Sequence, residues 1–204
     1  MNEFSKIFNK LNLNFGEILK AASTKWNFIK FQPGLVGGHC IGVDPYYLAY
    51  KANKINIKPK IIIAGRKTND NLPKWIAKKF IVSANKFNLK KNNKILIVGL
   101  TFKEEINDIR NSKVFDIINI LSKKFAIDVY DPMINGDKVK KNNNFIIKNK
   151  LPKSKGKYIG IIFTVGHKKI KKIGISRFLD LCQFNPIIYD LKNTFPKFNS
   201  SFKL

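Results

Sequence analysis

The chain is poor in sulfur, in acid and in long apolar runs, and each shortage removes a class of function. Its 204 residues include two cysteines, Cys40 and Cys182, and two histidines, His39 and His167. Two distant thiols make neither a secreted disulfide framework nor a pair with metal-ligand spacing. Isolated histidines likewise point to no metal centre. No apolar run approaches the ~20 residues of a membrane-spanning helix. Lys and Asn interrupt the first apolar residues, so no signal peptide is read and no membrane partner is expected. These absences predict a soluble chain in the reducing cytoplasm. Acidic residues number 13 against 39 basic ones, a formal charge of +26. Such an imbalance ordinarily suggests nucleic acid or an anionic membrane. Here every basic residue except Arg66, Arg110 and Arg177 is lysine, scattered among Asn and Ile. A phosphate-reading face would use more arginine. The pattern fits drift in an AT-rich genome, and no nucleic-acid partner is expected, although the field would steer anionic nucleotides. Also lacking is a G-x-G-x-x-G run after an apolar strand near the N-terminus, the mark of a dinucleotide-binding fold.

What is present is concentrated in two segments. The first is Pro33-Gly34-Leu35-Val36-Gly37-Gly38-His39-Cys40-Ile41-Gly42-Val43-Asp44-Pro45-Tyr46. Its glycines permit positive φ and close approach of bare N–H groups to a ligand. Asp44 and Pro45 read as a helix N-cap and first helical position, with the helix running from Tyr46 to about residue 53. Cys40 would then lie just before a helix N-terminus, where an anion is favoured. A lone thiol beside an anion cradle suggests covalent chemistry on a phosphorylated substrate. The plainer alternative is a small buried cysteine and an ordinary cap.

The second segment opens with Lys94-Ile95-Leu96-Ile97-Val98-Gly99-Leu100, an apolar run of the buried parallel-strand type. Thr101-Phe102-Lys103-Glu104-Glu105-Ile106-Asn107-Asp108-Ile109-Arg110-Asn111-Ser112 follows it. Downstream the spacing predicts a helix over 112–124, with Phe115, Ile118 and Leu121 inward. Strands are expected at 127–132, 158–164 and 186–190, with short helices between them. That alternation implies a parallel sheet, with ligands beyond the strands' carboxyl ends, where the 101–112 loop emerges. Residues 135–157, polar and lysine-rich, read as a solvated surface excursion.

Upstream, helical patterns dominate. Phe4, Ile7, Phe8 and Leu11 share one face, and Asn14 with Glu17 can cap a helix to about Ala22. Residues 55–69 read as partly helical after Pro59. Pro73 opens a helix with Leu72, Ile76, Phe80, Ala84 and Phe87 on one face. These stripes suit a core or a dimer interface. Lys90-Lys91-Asn92-Asn93 reads as a linker.

Both segments resemble motifs of the UDP-glucose/GDP-mannose (nucleotide-sugar 6-) dehydrogenase family. The first is similar to its active-site GPGxGGxCxxxD motif, and the string from Gln32 to Ala52 to the branch acting on UDP-N-acetylhexosamines. The second is similar to GLxFKxxxxDxRxS, which begins the family's UDP-binding domain. The resemblance implies an α/β chain in two parts: a helical central dimerisation region over 1–90, and a Rossmann-like parallel-sheet UDP-sugar-binding domain over 91–204. It also implies that the family's N-terminal NAD-binding domain, with its catalytic Lys and Asn, is missing from this sequence. A separately encoded N-terminal half is then one expected partner, with a homodimer and the UDP-sugar substrate.

The activity implied is oxidation of the sugar C6 alcohol to a carboxylate with two NAD, in polysaccharide biosynthesis. Cys40 would capture the intermediate aldehyde and carry a thioester, because a thiolate both attacks and leaves well. Asp44 would position water for hydrolysis, or serve only as the helix cap. Gly34, Gly37 and Gly38 match the loop beside the substrate phosphates, or form only a tight turn. Phe31 flanks the nucleotide sugar or sits in a core. Phe102 and Lys103 match the substrate-binding strand end, where the alternative for Lys103 is a plain surface lysine. Arg110 matches a contact to the phosphates of NAD, or pairs with Asp108. Asp190-Leu191-Lys192-Asn193 resembles a closing D-x-R-N element with Lys192 in place of the arginine, which loses a bidentate grip. The alternative reading is a catalytically inactive UDP-sugar-binding or dimerising remnant.

Overall fold

A computed structural model describes residues 1–85, 93–134 and 145–204. Five helices come first: α1 (Asn2–Lys10), α2 (Phe15–Ala22), α3 (Asp44–Lys54), α4 (Lys60–Asp70) and α5 (Leu72–Asn85). Strand β1 (Lys94–Val98), helix α6 (Val114–Leu121), β2 (Ala126–Tyr130), β3 (Phe145–Lys148) and β4 (Tyr158–Phe163) follow. Short helices α7 (Lys168–Ile173) and α8 (Ile175–Leu179) lead to β5 (Cys182–Asp190) and β6 (Phe202–Lys203).

The strands form one sheet in the order β3-β2-β1-β4-β5-β6. Every pairing is parallel. This is the doubly wound order, and its topological switch lies between β1 and β4. The period of two along β1 divides the core. Ile95 and Ile97 join one apolar cluster with α5 and α6, while Leu96 and Val98 join the other with Ile170 of α7 and Phe178 of α8. Burial on both faces is why β1 reads as an unbroken apolar run. Helix α5, on the helical side of the division expected at residue 90, contributes Leu72, Ile76, Phe80 and Ala84 to the sheet's own core. Phe87 and residues 90–92 of the expected linker lie outside the described residues.

Several local expectations change. The N-cap of α3 is Val43, not Asp44; Asp44 is the first helical residue and Pro45 the second, and no side chain caps the end. The acid still sits in the first turn, where the helix dipole favours it. Asn14 does cap α2, accepting from Gly16 and Glu17 N–H. The excursion expected over 135–157 contains β3, which pairs with β2; residues 135–144 lie outside the described residues. Strand β5 starts at Cys182 because three extra residues bulge between its Tyr158 and Gly160 pairings. The α1 stripe is not core: Phe4 is 50% and Ile7 47% exposed, while Ser5 on the opposite side is buried.

Candidate functional site

The carboxyl ends of β1 and β4 meet at Gly99, whose φ is +98° and whose missing Cβ would lie 2.6 Å from that of Val165. Only glycine allows this approach. The chain then enters the Thr101–Ser112 loop instead of a helix, because α6 does not start until Val114. A cleft of about 270 Å³ opens at this switch point, lined by Leu35, Phe102, Lys103, Lys113, Val165 and Lys192, among others. Lys113 is committed to Asp70 at 2.9 Å. Lys103 and Lys192 form no salt bridge among the described residues, so the cleft carries an excess of positive charge suited to phosphate. A larger cleft of about 840 Å³ lies between the α1–α2 turn and residues 191–204, with Lys192 also on its wall.

The cysteine loop docks on the first cleft. Two asparagine side chains hold its extended part as a neighbouring strand would. Asn2 donates to Gly34 O at 2.9 Å and accepts from Gly34 N at 2.8 Å. Asn69 donates to Val36 O at 2.9 Å and accepts from Val36 N at 3.2 Å. Arg66 donates to Ile41 O at 2.8 Å. Gly37 lies against the Asn111 carbonyl and Gly38, at φ +84°, against the Phe102 ring, each too close for a side chain.

The other expected residues fall as follows. Gly34 is buried, and a Cβ there would come 3.2 Å from Lys192 Nζ. Cys40 and Asp44 are exposed, and the Cys40 carbonyl accepts from the N–H groups of Val43 and Asp44 in the turn opening α3. Phe31 is 63% exposed and lines the larger cleft, not the smaller one. The Arg110 guanidinium grips Asp108 through two nitrogens, the shortest contact being 2.7 Å. The structure thus brings Gly37, Gly38, Phe102, Lys103 and Lys192 together, and leaves Phe31 and Arg110 outside that group. Asp190 forms the turn carrying Lys192, accepting from Thr194 and Phe195 N–H at 2.8 Å.

Sequence reading missed what braces the loop. Asp131, buried after β2, accepts from Leu100 N, Thr101 N and Met133 N. His167, fully buried, lies 3.3 Å from the same carboxylate. Burial alone would raise the Asp131 pKa, but hydrogen bonds from His167, Leu100 and Met133 outweigh it and hold the carboxyl below its usual range. Position gave the one available signal, since Asp131 and His167 both follow strand ends.

The two thiols differ in the way their settings imply. Burial pushes the Cys182 thiol up to about 12, while Cys40 is exposed. Brief alkylation of the folded chain at pH 8, mapped by mass spectrometry, should label Cys40 well ahead of Cys182. Preferential labelling of Cys182 would contradict the placement of both residues.

Residues 96–197 match the UDP-binding domain model of the UDP-glucose/GDP-mannose dehydrogenase family, and residues 1–71 match its central domain. The chain is 38% identical to the UDP-N-acetyl-D-glucosamine 6-dehydrogenase of Salmonella typhi over 206 residues, covering 100% of this chain and 48% of that protein. Its counterpart from Pseudomonas aeruginosa is 39% identical, with the same coverage of 100% and 48%. The chain therefore spans about half the length of these relatives. The Staphylococcus aureus UDP-N-acetyl-mannosamine dehydrogenase Cap5O superposes with a TM-score of 0.73 at 30% identity, covering 98% of this chain and 44% of that one. The UDP-D-ManNAc dehydrogenase of Pyrococcus horikoshii shares the fold at a TM-score of 0.80, 24% identity and coverage of 99% and 46%. With its two motifs docked against each other and both domain models matched, the chain belongs to the UDP-glucose/GDP-mannose dehydrogenase family.

Proposed function

We propose that this chain supplies the substrate-binding surface and the thiol of a nucleotide-sugar 6-dehydrogenase acting on a UDP-N-acetylhexosamine in polysaccharide biosynthesis. The observation that carries the reading is the contact between the cysteine loop and the cationic switch-point cleft, Gly38 lying on Phe102 beside Lys103. That contact links a nucleophile's loop to an anion site. Lys103 and Lys192 hold the diphosphate, and Phe102 offers an aromatic edge to the nucleotide sugar. The Cys40 thiolate adds to a C6 aldehyde, giving a thiohemiacetal. Once the C6 hydride passes to an acceptor bound outside the described residues, and the hydroxyl proton leaves, the resulting Cys40 thioester is hydrolysed by water to the acid and the free thiol. Asp44, exposed in the first turn of α3, orients that water. A reducing cytoplasm would keep the thiol free.

NAD, the hydride acceptor the family implies, does not fit the described residues. The loop after β1 is long, the N–H groups it begins with are taken up by Asp131, and Arg110 is committed to Asp108. This favours a second reading in which the chain binds a UDP-sugar without oxidising it. NADH production from UDP-N-acetylglucosamine by the 204-residue chain tests the binding-only reading: none is expected from this chain alone, and robust turnover would remove that reading.

Binding itself is tested by titration calorimetry with UDP-N-acetylglucosamine. Lys103→Ala should weaken it by about 1–3 kcal/mol, the worth of a charge-assisted hydrogen bond. Equal affinity in wild type and variant would defeat the assignment of Lys103.

A homodimer is part of the same proposal. Exposed Phe4, Ile7, Leu11, Trp26 and Ile61 give the helical region apolar surface that a second copy can cover. Sedimentation equilibrium should find a dimer that Ile7→Lys with Phe4→Lys weakens; a monomer at all concentrations would rule it out.

A further inference from the structure

We propose that His167 is a positioning residue for the substrate-contacting Lys103, acting through Thr101, and that it does so with its ring proton on Nε2. The inference rests on the proposed role of Lys103 and extends it to a residue that touches no substrate.

Hydrogen-bond directions leave little freedom in this cluster. Glu105 N–H donates to His167 Nδ1 at 3.0 Å, so Nδ1 carries a lone pair and the proton sits on Nε2. Nε2 then donates to Thr101 Oγ1, 3.0 Å away, and toward Asp131 Oδ2 at 3.3 Å. With its oxygen accepting from the ring, the Thr101 hydroxyl is directed to donate to the Lys103 carbonyl at 3.0 Å. One imidazole thus ties the start, middle and end of the five-residue turn Thr101–Glu105.

The turn needs such a clamp. Glu105 has φ of +59°, a conformation that L residues other than Asn and Asp adopt rarely. The Glu105 carboxylate completes the closure by accepting from Lys168 N–H at 2.6 Å, which fixes the start of α7 against the turn. His167 and Thr101 are fully buried, whereas Lys103 reaches the cleft. A buried, directional network of this kind sets the orientation of the residue it carries. Asp131 anchors the far side by holding Thr101 N–H at 3.1 Å.

The test is binding of UDP to the whole chain by calorimetry, with thermal unfolding run in parallel. Thr101→Val removes the hydroxyl relay at nearly constant volume and should weaken UDP binding about fivefold or more; Thr101→Ser, which keeps the hydroxyl, should stay within about twofold of wild type. His167→Gln should weaken binding in the wild-type background. In a Lys103→Ala background it should change affinity by less than about twofold, because both changes then act through one contact. A purely structural role predicts additive effects in the two backgrounds, and additivity overturns the proposal. So does a Thr101→Val chain that binds like wild type. Should the His167 variant fail to fold, the Thr101 pair decides. Nitrogen-15 NMR of the wild-type ring gives an independent readout, with the proton expected on Nε2; a proton on Nδ1 overturns the scheme. If wild type itself does not bind UDP, the failure belongs to the substrate-site reading and not to the relay alone.

Discussion

Replacing Asp131 by alanine should destabilise the chain by about 3–5 kcal/mol, the cost of stripping the partner from a buried, hydrogen-bonded polar network. The carboxylate accepts from three backbone N–H groups, those of Leu100, Thr101 and Met133, and from His167. Alanine leaves three buried or half-buried backbone donors without an acceptor, and the His167 ring N–H keeps only Thr101 Oγ1. Asp131→Asn keeps one oxygen but sets an amide N–H₂ against other donors, so most of the loss should persist. The same residue gives a pH dependence with a defined sign. Its folded pKa is held below the unfolded value, so its contribution is fully present above the ordinary aspartate range. It is lost as pH falls below about 4 through the folded value. Urea unfolding of wild type and both variants across pH 3–7 tests each part. A gap between wild type and Asp131→Asn that does not narrow toward the acid end would refute the linkage. Unaltered stability of Asp131→Ala would refute the network.

The same residue marks a limit of what the sequence discloses. The strands buried on both faces were legible, because β1 and β4 present near-continuous apolar runs that only a covered parallel sheet explains. Strand β3 was not, since Phe145-Ile146-Ile147 is three residues long inside a lysine- and asparagine-rich stretch and its pairing with β2 is the only thing that makes it a strand. Helix starts were readable to within one or two residues: Asn14 caps α2, Asp44 follows its cap by one position, and α6 starts at Val114 where 112 is expected. Within the candidate site, Gly37, Gly38, Phe102 and Lys103 could be named from their motifs, but not what holds them. Asn2 and Asn69 clasp the cysteine loop from 32 and 33 residues away, and in a chain so rich in asparagine nothing distinguishes those two. Thr101 and His167, 66 positions apart, become neighbours only because β1 and β4 are adjacent across the switch point. Pairings made by topology leave no trace in local spacing.

Two glycines should respond oppositely to the same change to alanine. At Gly65, inside α4, a Cβ meets no atom within 4 Å. Alanine there should stabilise the chain by about 0.5–1 kcal/mol, through better helix propensity and a less flexible unfolded state. At Gly38 the backbone has φ of +84° and the added Cβ would lie 2.8 Å from the Phe102 ring. Alanine must leave the left-handed region or push the ring aside, at a cost of about 2–4 kcal/mol from backbone strain and overpacking together. Phe102 cannot yield freely, because its backbone N–H is bonded to the Asp108 carbonyl at 3.1 Å and the turn beside it is clamped by His167. The cheaper escape is for the cysteine loop to lift away from the cleft. Gly38→Ala should therefore lower stability and weaken UDP-sugar binding together, while leaving the alkylation of exposed Cys40 as fast or faster. Denaturant titration and calorimetry on the two variants decide it. A Gly38→Ala chain that binds and unfolds like wild type would mean that the cysteine loop and the switch-point cleft do not act as one surface.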